Sequence, residues 1–165
     1  MKYMVLILAV LSGYLLFSGE SSKRRGYASP DAIGNHVAGA LSAKDRDAVL
    51  DVYAPTALLE EALDCSGINP WVADSTEDYQ EVNRMLQFGF RRTARPVEYT
   101  SHEVTREDQF LPGDDVQGCK ARTNITRLLT MMHGRHYFYG TKMESKIGEN
   151  LIKIGSDGDW CVLKR

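Results

Sequence analysis

The stretch Leu151-Ile152-Lys153-Ile154-Gly155-Ser156-Asp157-Gly158-Asp159-Trp160-Cys161-Val162-Leu163 decides the fold class. Two short β-rich runs flank a turn rich in glycine and aspartate, the pattern of a β-hairpin. A three-residue loop, Ser156 to Gly158, places Gly158 at the left-handed position of a bulged turn. That register opposes Ile154 to Trp160 and Ile152 to Val162, so one face becomes apolar. A two-residue Asp157-Gly158 turn would scatter Trp160 and Val162 among Lys153 and Gly155. A one-residue slip moves the apolar set to the other side, so burial favours the first register. The outer face then carries Leu151, Cys161 and Leu163, which suits a dimer of stacked sheets.

Working outward, Thr123 to Met132 and His136 to Ile147 flank His133-Gly134-Arg135, which reads as a second hairpin loop. Pairing across it puts Ile125, Leu129, Met131, Tyr137, Tyr139, Met143 and Ile147 on one face, with Arg127 and Thr141. Gly148 to Asn150 reads as the turn into the last hairpin. Val97 to Val104 reads as the first strand, and Leu111 to Asp115 as a loop. Strands with one apolar face need a covering layer, and helices earlier in the chain supply it.

Ser29-Pro30-Asp31 is a helix start: a capping serine, a proline suited to the first helical position, and an acid at the positive helix end. Ile33, Val37 and Leu41 follow at helical spacing. Ser42 to Asp45 interrupts the pattern. A second helix runs through Ala48, Val49, Val52 and Tyr53 to the stop at Ala54-Pro55. Thr56 to Leu63 reads as a third. Ser75 opens a further helix with Tyr79, Val82, Leu86 and Phe90 on one face, ending before Pro96. The expected class is α+β, amino-terminal helices packed on a curved four- to five-strand antiparallel sheet.

The chain has 165 residues, 43% hydrophobic and 25% charged, and a formal charge of −2. These are ordinary values for a globular domain. Residues 1–28 carry a net +3, which leaves −5 for the rest. A mildly acidic domain argues against nucleic acid as partner. The three cysteines are Cys65, Cys119 and Cys161. Cys161 lies in a strand beside Trp160 and reads as a small buried residue. Cys65 and Cys119 fall in irregular stretches and suit a disulfide if the domain is exported; sequence leaves their separation open.

Residues 1–18 have the pattern of a signal peptide or membrane anchor: Lys2, then an apolar run from Met4 to Phe17, shorter than a spanning helix needs. Residues 19–29 form a basic linker with Lys23-Arg24-Arg25. That charge cluster, taken alone, favours a cytoplasmic domain, whereas the short apolar run favours export. The expected location is extracytoplasmic, periplasmic or secreted, possible membrane contact being confined to residues 4–25. Residues 30–165 are the folded domain.

Two stretches resemble the nuclear transport factor two-like superfamily, including its SnoaL-like members. One is Leu41 to Pro55, a helix break followed by a short helix ending in Tyr53-Ala54. The other is the terminal meander closing on Gly158-Asp159-Trp160-Cys161-Val162-Leu163. The resemblance implies a cone: a curved sheet wrapped round an amino-terminal helix. Members usually place a strand soon after the Tyr-Ala helix, whereas Thr56 to Leu63 reads here as helix. A cystatin-like helix-plus-meander fold also fits, without that family's inhibitory loop.

The resemblance further implies an apolar pocket. Its candidate lining residues are Tyr53, Tyr99, Arg127, Tyr137, Tyr139 and Trp160, because tyrosine joins apolar bulk to a hydrogen-bonding tip and Arg127 suits an anionic group. The plain alternative makes the tyrosines core residues and lets Arg127 snorkel at a strand end. His36, Asp51 and Tyr139 are the candidates for acid–base chemistry. His133 and His136 lack a third metal ligand, so no metal is expected. Asn124-Ile125-Thr126 matches a glycosylation acceptor in a strand. No phosphate-binding, dinucleotide, nucleophile-elbow or zinc-protease motif occurs, and no cofactor is expected.

Two functions follow as expectations. The first is an exported or membrane-anchored, non-catalytic module that binds a small apolar ligand or a protein, with a homodimer through the outer sheet face as one form. The second is a cofactor-free isomerase, dehydratase or hydrolase of the same superfamily.

Overall fold

The computed structural model describes residues 26–73, 96–138 and 141–163. Among these residues the fold is α+β, with helices α1 (Pro30–Ala43), α2 (Arg46–Leu50) and α3 (Thr56–Ala62). The strands are β1 (Leu63–Asp64), β2 (Val97–Phe110), β3 (Asp115–Val116), β4 (Cys119–Ala121), β5 (Ile125–Phe138), β6 (Thr141–Ile154) and β7 (Trp160–Leu163). They form two antiparallel sheets, ordered β2-β5-β6-β7 and β1-β4-β3. The helix expected from Ser75 to Phe90 lies outside the described residues.

Local chemistry sets the helices. Ser29 caps α1 by accepting from the Ala32 amide, Pro30 opens it, and Asp31 sits in the first turn. Lys44 ends it in a left-handed conformation, φ 57°, and its N–H donates to Ala40 and Leu41 carbonyls. Asp45 then caps α2 by accepting from the Ala48 amide at 3.0 Å. Val52 and Tyr53, expected inside that helix, follow it instead, and Tyr53 bridges to Val162 of β7. Pro55 precedes α3, which leads straight into β1.

The strands β2, β5, β6 and β7 occupy the expected regions with different turns and register, whereas the short strands β1, β3 and β4 form in stretches read as helix end, loop and irregular chain. β5 runs unbroken through His133-Gly134-Arg135, and β6 runs unbroken through Gly148-Glu149-Asn150. The two strands stay paired as far as Phe138 opposite Thr141, so His133-Gly134-Arg135 is not the hairpin loop. The last hairpin is also one residue out of the expected register: Lys153 faces Trp160, Ile152 faces Cys161 and Leu151 faces Val162. Gly155 takes the left-handed conformation, φ 81°, and its N–H donates to the Asn124 carbonyl at 2.7 Å. Gly158 is needed for a different reason, since a Cβ there would stand 2.0 Å from the Ile154 carbonyl oxygen.

The physical reason for the slip is that this end of the sheet is buried on both faces. A strand covered twice reads as a continuous apolar run, and burial no longer selects one register. On one face, Leu128, Met132, Leu151 and Val162 pack with Ile33, Val37 and Val52. On the other, Ile125, Ile152, Cys161 and Leu163 pack with Leu59, Ala62, Leu63, Trp71, Val116, Cys119 and Ala121. Leu151, Cys161 and Leu163 therefore do not share an outer face; they are at most 3% exposed and divide between the two cores.

The same register redistributes the middle of the sheet. Met143 and Ile147 face α1's side with Met132 and His136, whereas Leu129, Met131 and Arg127 point to the opposite side. Cys65 and Cys119 are joined in a disulfide that ties the loop after β1 to β4 and the second core.

Candidate functional site

β2 positions a polar cluster between α1 and the sheet. Its pairing with β5 shifts by one residue between Tyr99 and Ser101, leaving Thr100 as the bulge. Tyr99 lies opposite Gly134 and His102 opposite Met132, so both side chains point to α1's side of the sheet. Without the bulge, residues three apart on a strand would point to opposite faces. Glu149 of β6 lies opposite Thr130, on that same side.

The four polar groups form a chain. The Tyr99 hydroxyl contacts the Asp31 carboxylate in the first turn of α1. It also lies 2.9 Å from His102 Nδ1. His102 Nε2 lies 3.5 Å from Glu149 Oε2, with the two side chains 3% and 13% exposed. Burial, then the hydrogen bond to Asp31, pushes the Tyr99 phenol well above its ordinary range. A phenol held so firmly in its protonated form serves poorly as a base.

Beside this chain, α1 and the sheet enclose a narrow apolar groove. Val37 and Leu41 line it from the helix, and Tyr99, Met132, Gly134 and Ile147 from the sheet. Its volume is about 30 Å³, space for roughly one water molecule. Gly134 keeps the floor open, because it has no side chain between Tyr99 and Ser145. Ser42 ties the end of α1 to the start of β2: the Val97 amide donates to Ser42 Oγ at 2.8 Å. Ile147, on the rim, is 48% exposed, and Met143 on the same strand and face is 44% exposed.

Of the residues expected to line a pocket, Tyr99 does so, while Tyr53 and Trp160 pack against the α1 core. Arg127 stands on the opposite face between Asp108 and Ile152, its buried Nε without a hydrogen-bond partner. Tyr137 is opposite Lys142 in the ladder, and Tyr139 lies outside the described residues. His36 is engaged elsewhere: Nε2 lies 2.9 Å from the Ala48 carbonyl, and its ring centroid is 5.1 Å from that of Tyr27. Asp51 caps the end of α2. His36 and Asp51 do not line the groove. Among the described residues no three His, Cys, Asp or Glu side chains are grouped to hold a metal.

Asp31, Gly34, His102 and Glu149 are the site residues that sequence reasoning missed. Asp31 was visible as a helix-start residue. His102 and Glu149 depend on a bulge and a strand register, which leave no local pattern, and Gly34 matters only through the Tyr99 ring that packs on it. No family model, curated protein or solved structure matches the chain.

Proposed function

We propose that this chain is an exported or membrane-anchored, non-catalytic assembly module that makes contact through the apolar rim beside α1. The exposed pair Met143 and Ile147, on one strand and one face, carries the reading. The groove beneath is far smaller than the roughly 300 Å³ of an ordinary small-molecule pocket. That favours a protein partner over an enclosed small apolar ligand. A second copy of the chain is the simplest partner, since a two-fold contact sets the same rim against itself.

The disulfide between Cys65 and Cys119 supports an oxidising, extracytoplasmic location. Among the described residues no helix is long and apolar enough to cross a membrane. The break after α1, the short α2 and the terminal meander support a nuclear transport factor two-like cone of helices on a curved sheet. The helix α3 directly after Tyr53-Ala54 is a departure from that pattern.

A cofactor-free enzyme is the second reading, favoured by the chain Asp31–Tyr99–His102–Glu149. The raised Tyr99 and the small groove weigh against it. Sedimentation of wild type and Ile147→Asp tests the assembly reading. Self-association that Ile147→Asp abolishes supports it, and a wild-type monomer at all concentrations opposes it.

A further inference from the structure

Proton counting along the chain from the exposed Asp31 to the enclosed His102 and Glu149 leads to a second property, independent of the assembly reading. The Tyr99 hydroxyl has one hydrogen, and an ionised carboxylate has none to give. When Tyr99 donates to Asp31, the contact with His102 needs a hydrogen on Nδ1. The contact with Glu149 needs a hydrogen on Nε2. All three contacts are complete only when both ring nitrogens carry hydrogens. With a single ring hydrogen on Nε2, the Tyr99 hydroxyl turns its hydrogen to Nδ1, both contacts of the enclosed His102 are kept, and the tie to the exposed Asp31 carboxylate is the one left without a hydrogen.

The geometry points to a proton-operated latch that joins α1 to the sheet through Asp31, Tyr99, His102 and Glu149. Closed, it ties the first turn of α1 to β2 and, across β5, to β6. Open, it frees the Tyr99 ring, which lines the groove and packs on Gly34. The titratable groups facing His102 are Asp31 from α1, Tyr99 from β2 and Glu149 from β6; β5 presents Met132 and Thr130, which do not titrate. The other three histidines serve as internal comparisons. His36 meets a backbone carbonyl, His133 faces Glu103 on the opposite side, and His136 lies near the Phe138 end of β5.

Imidazole gains its second ring hydrogen within the span pH 8 to 5. Hydrogen exchange of the Ile33–Val37 amides, corrected for intrinsic rates and referred to Ile152, reads the latch at pH 5.5 and pH 8. The expected result is protection about tenfold lower at pH 8, the scale of one charge-assisted contact. Both His102→Gln and Tyr99→Phe remove that difference, while His36→Gln keeps it. Tyr99→Phe retains the ring on Gly34, so it reports even if His102→Gln fails to fold. Equal protection at both pH values overturns the latch. A difference that survives Tyr99→Phe, or that disappears with His36→Gln, overturns it equally.

Discussion

The Tyr99 ring lies directly on Gly34 of α1: a Cβ built at position 34 would stand 2.2 Å from a ring carbon. This contact is how the first half of the chain meets the sheet at the candidate site. It places the phenol hydroxyl beside Asp31, one turn earlier on the helix.

Gly34→Ala is therefore disruptive despite lying in a helix, where alanine is ordinarily the better residue by about 1 kcal/mol. The ring must move or the helix must lift, and overpacking of this kind costs about 1–3 kcal/mol. Thermal unfolding should show a lower Tm for Gly34→Ala. Gly39, where a Cβ meets nothing within 4 Å, is the control, and Gly39→Ala should be neutral or stabilising.

The disulfide closes a loop between residues 54 apart in sequence. A loop of that length contributes on the order of 4 kcal/mol by restricting the unfolded chain. Denaturant unfolding with and without reductant should show this loss, as should Cys65→Ser with Cys119→Ser. Cys161 is 2% exposed, so its thiol should react with a thiol reagent only after unfolding.

Alkaline pH should destabilise the fold. Burial, and then the Asp159 charge, push the Cys161 thiol up to about 11 from an ordinary 9.0. A raised pKa means that the folded state keeps its proton while the unfolded state loses it. The contribution is complete below pH 9 and is lost as pH rises through about 11. It amounts to on the order of 2 kcal/mol. Tyr99, also raised, adds a further loss above its ordinary 10.0. Stability measured from pH 8 to 11 should fall, and Cys161→Ala should flatten the first part of that fall.

Truncation of the α1 core offers a check on the packing. Ile33 is fully buried between the helix and the sheet. Ile33→Ala should cost about 2–5 kcal/mol. Leu111→Ala, at a position 61% exposed, should change stability little.

What the sequence shows plainly is what short-range chemistry decides. Ser29, Pro30 and Asp31 mark the start of α1, and Pro55 marks the start of α3. The β-rich runs near Ile125, Leu151 and Trp160 are strands. Register is a long-range property, and it failed where the sheet is covered twice. Leu59, Ala62 and Trp71 bury the face that would otherwise be solvent, so Leu151 and Ile152 are both core residues. Gly134 and Gly148 resemble turn residues in sequence yet sit inside long strands. Tyr99 was legible as an aromatic with a polar tip. Its partners His102 and Glu149 were not, because only the bulge at Thr100 turns His102 toward α1.

The rim at Ile147 and Met143 is the proposed contact surface. Sedimentation equilibrium over a concentration series, comparing wild type with Ile147→Asp, tests it most directly. The wild-type mass should climb toward twice the monomer value with concentration, and Ile147→Asp should stay monomeric with an unchanged fold. A wild-type mass fixed at the monomer value throughout, or a dimer indifferent to Ile147→Asp, would contradict it.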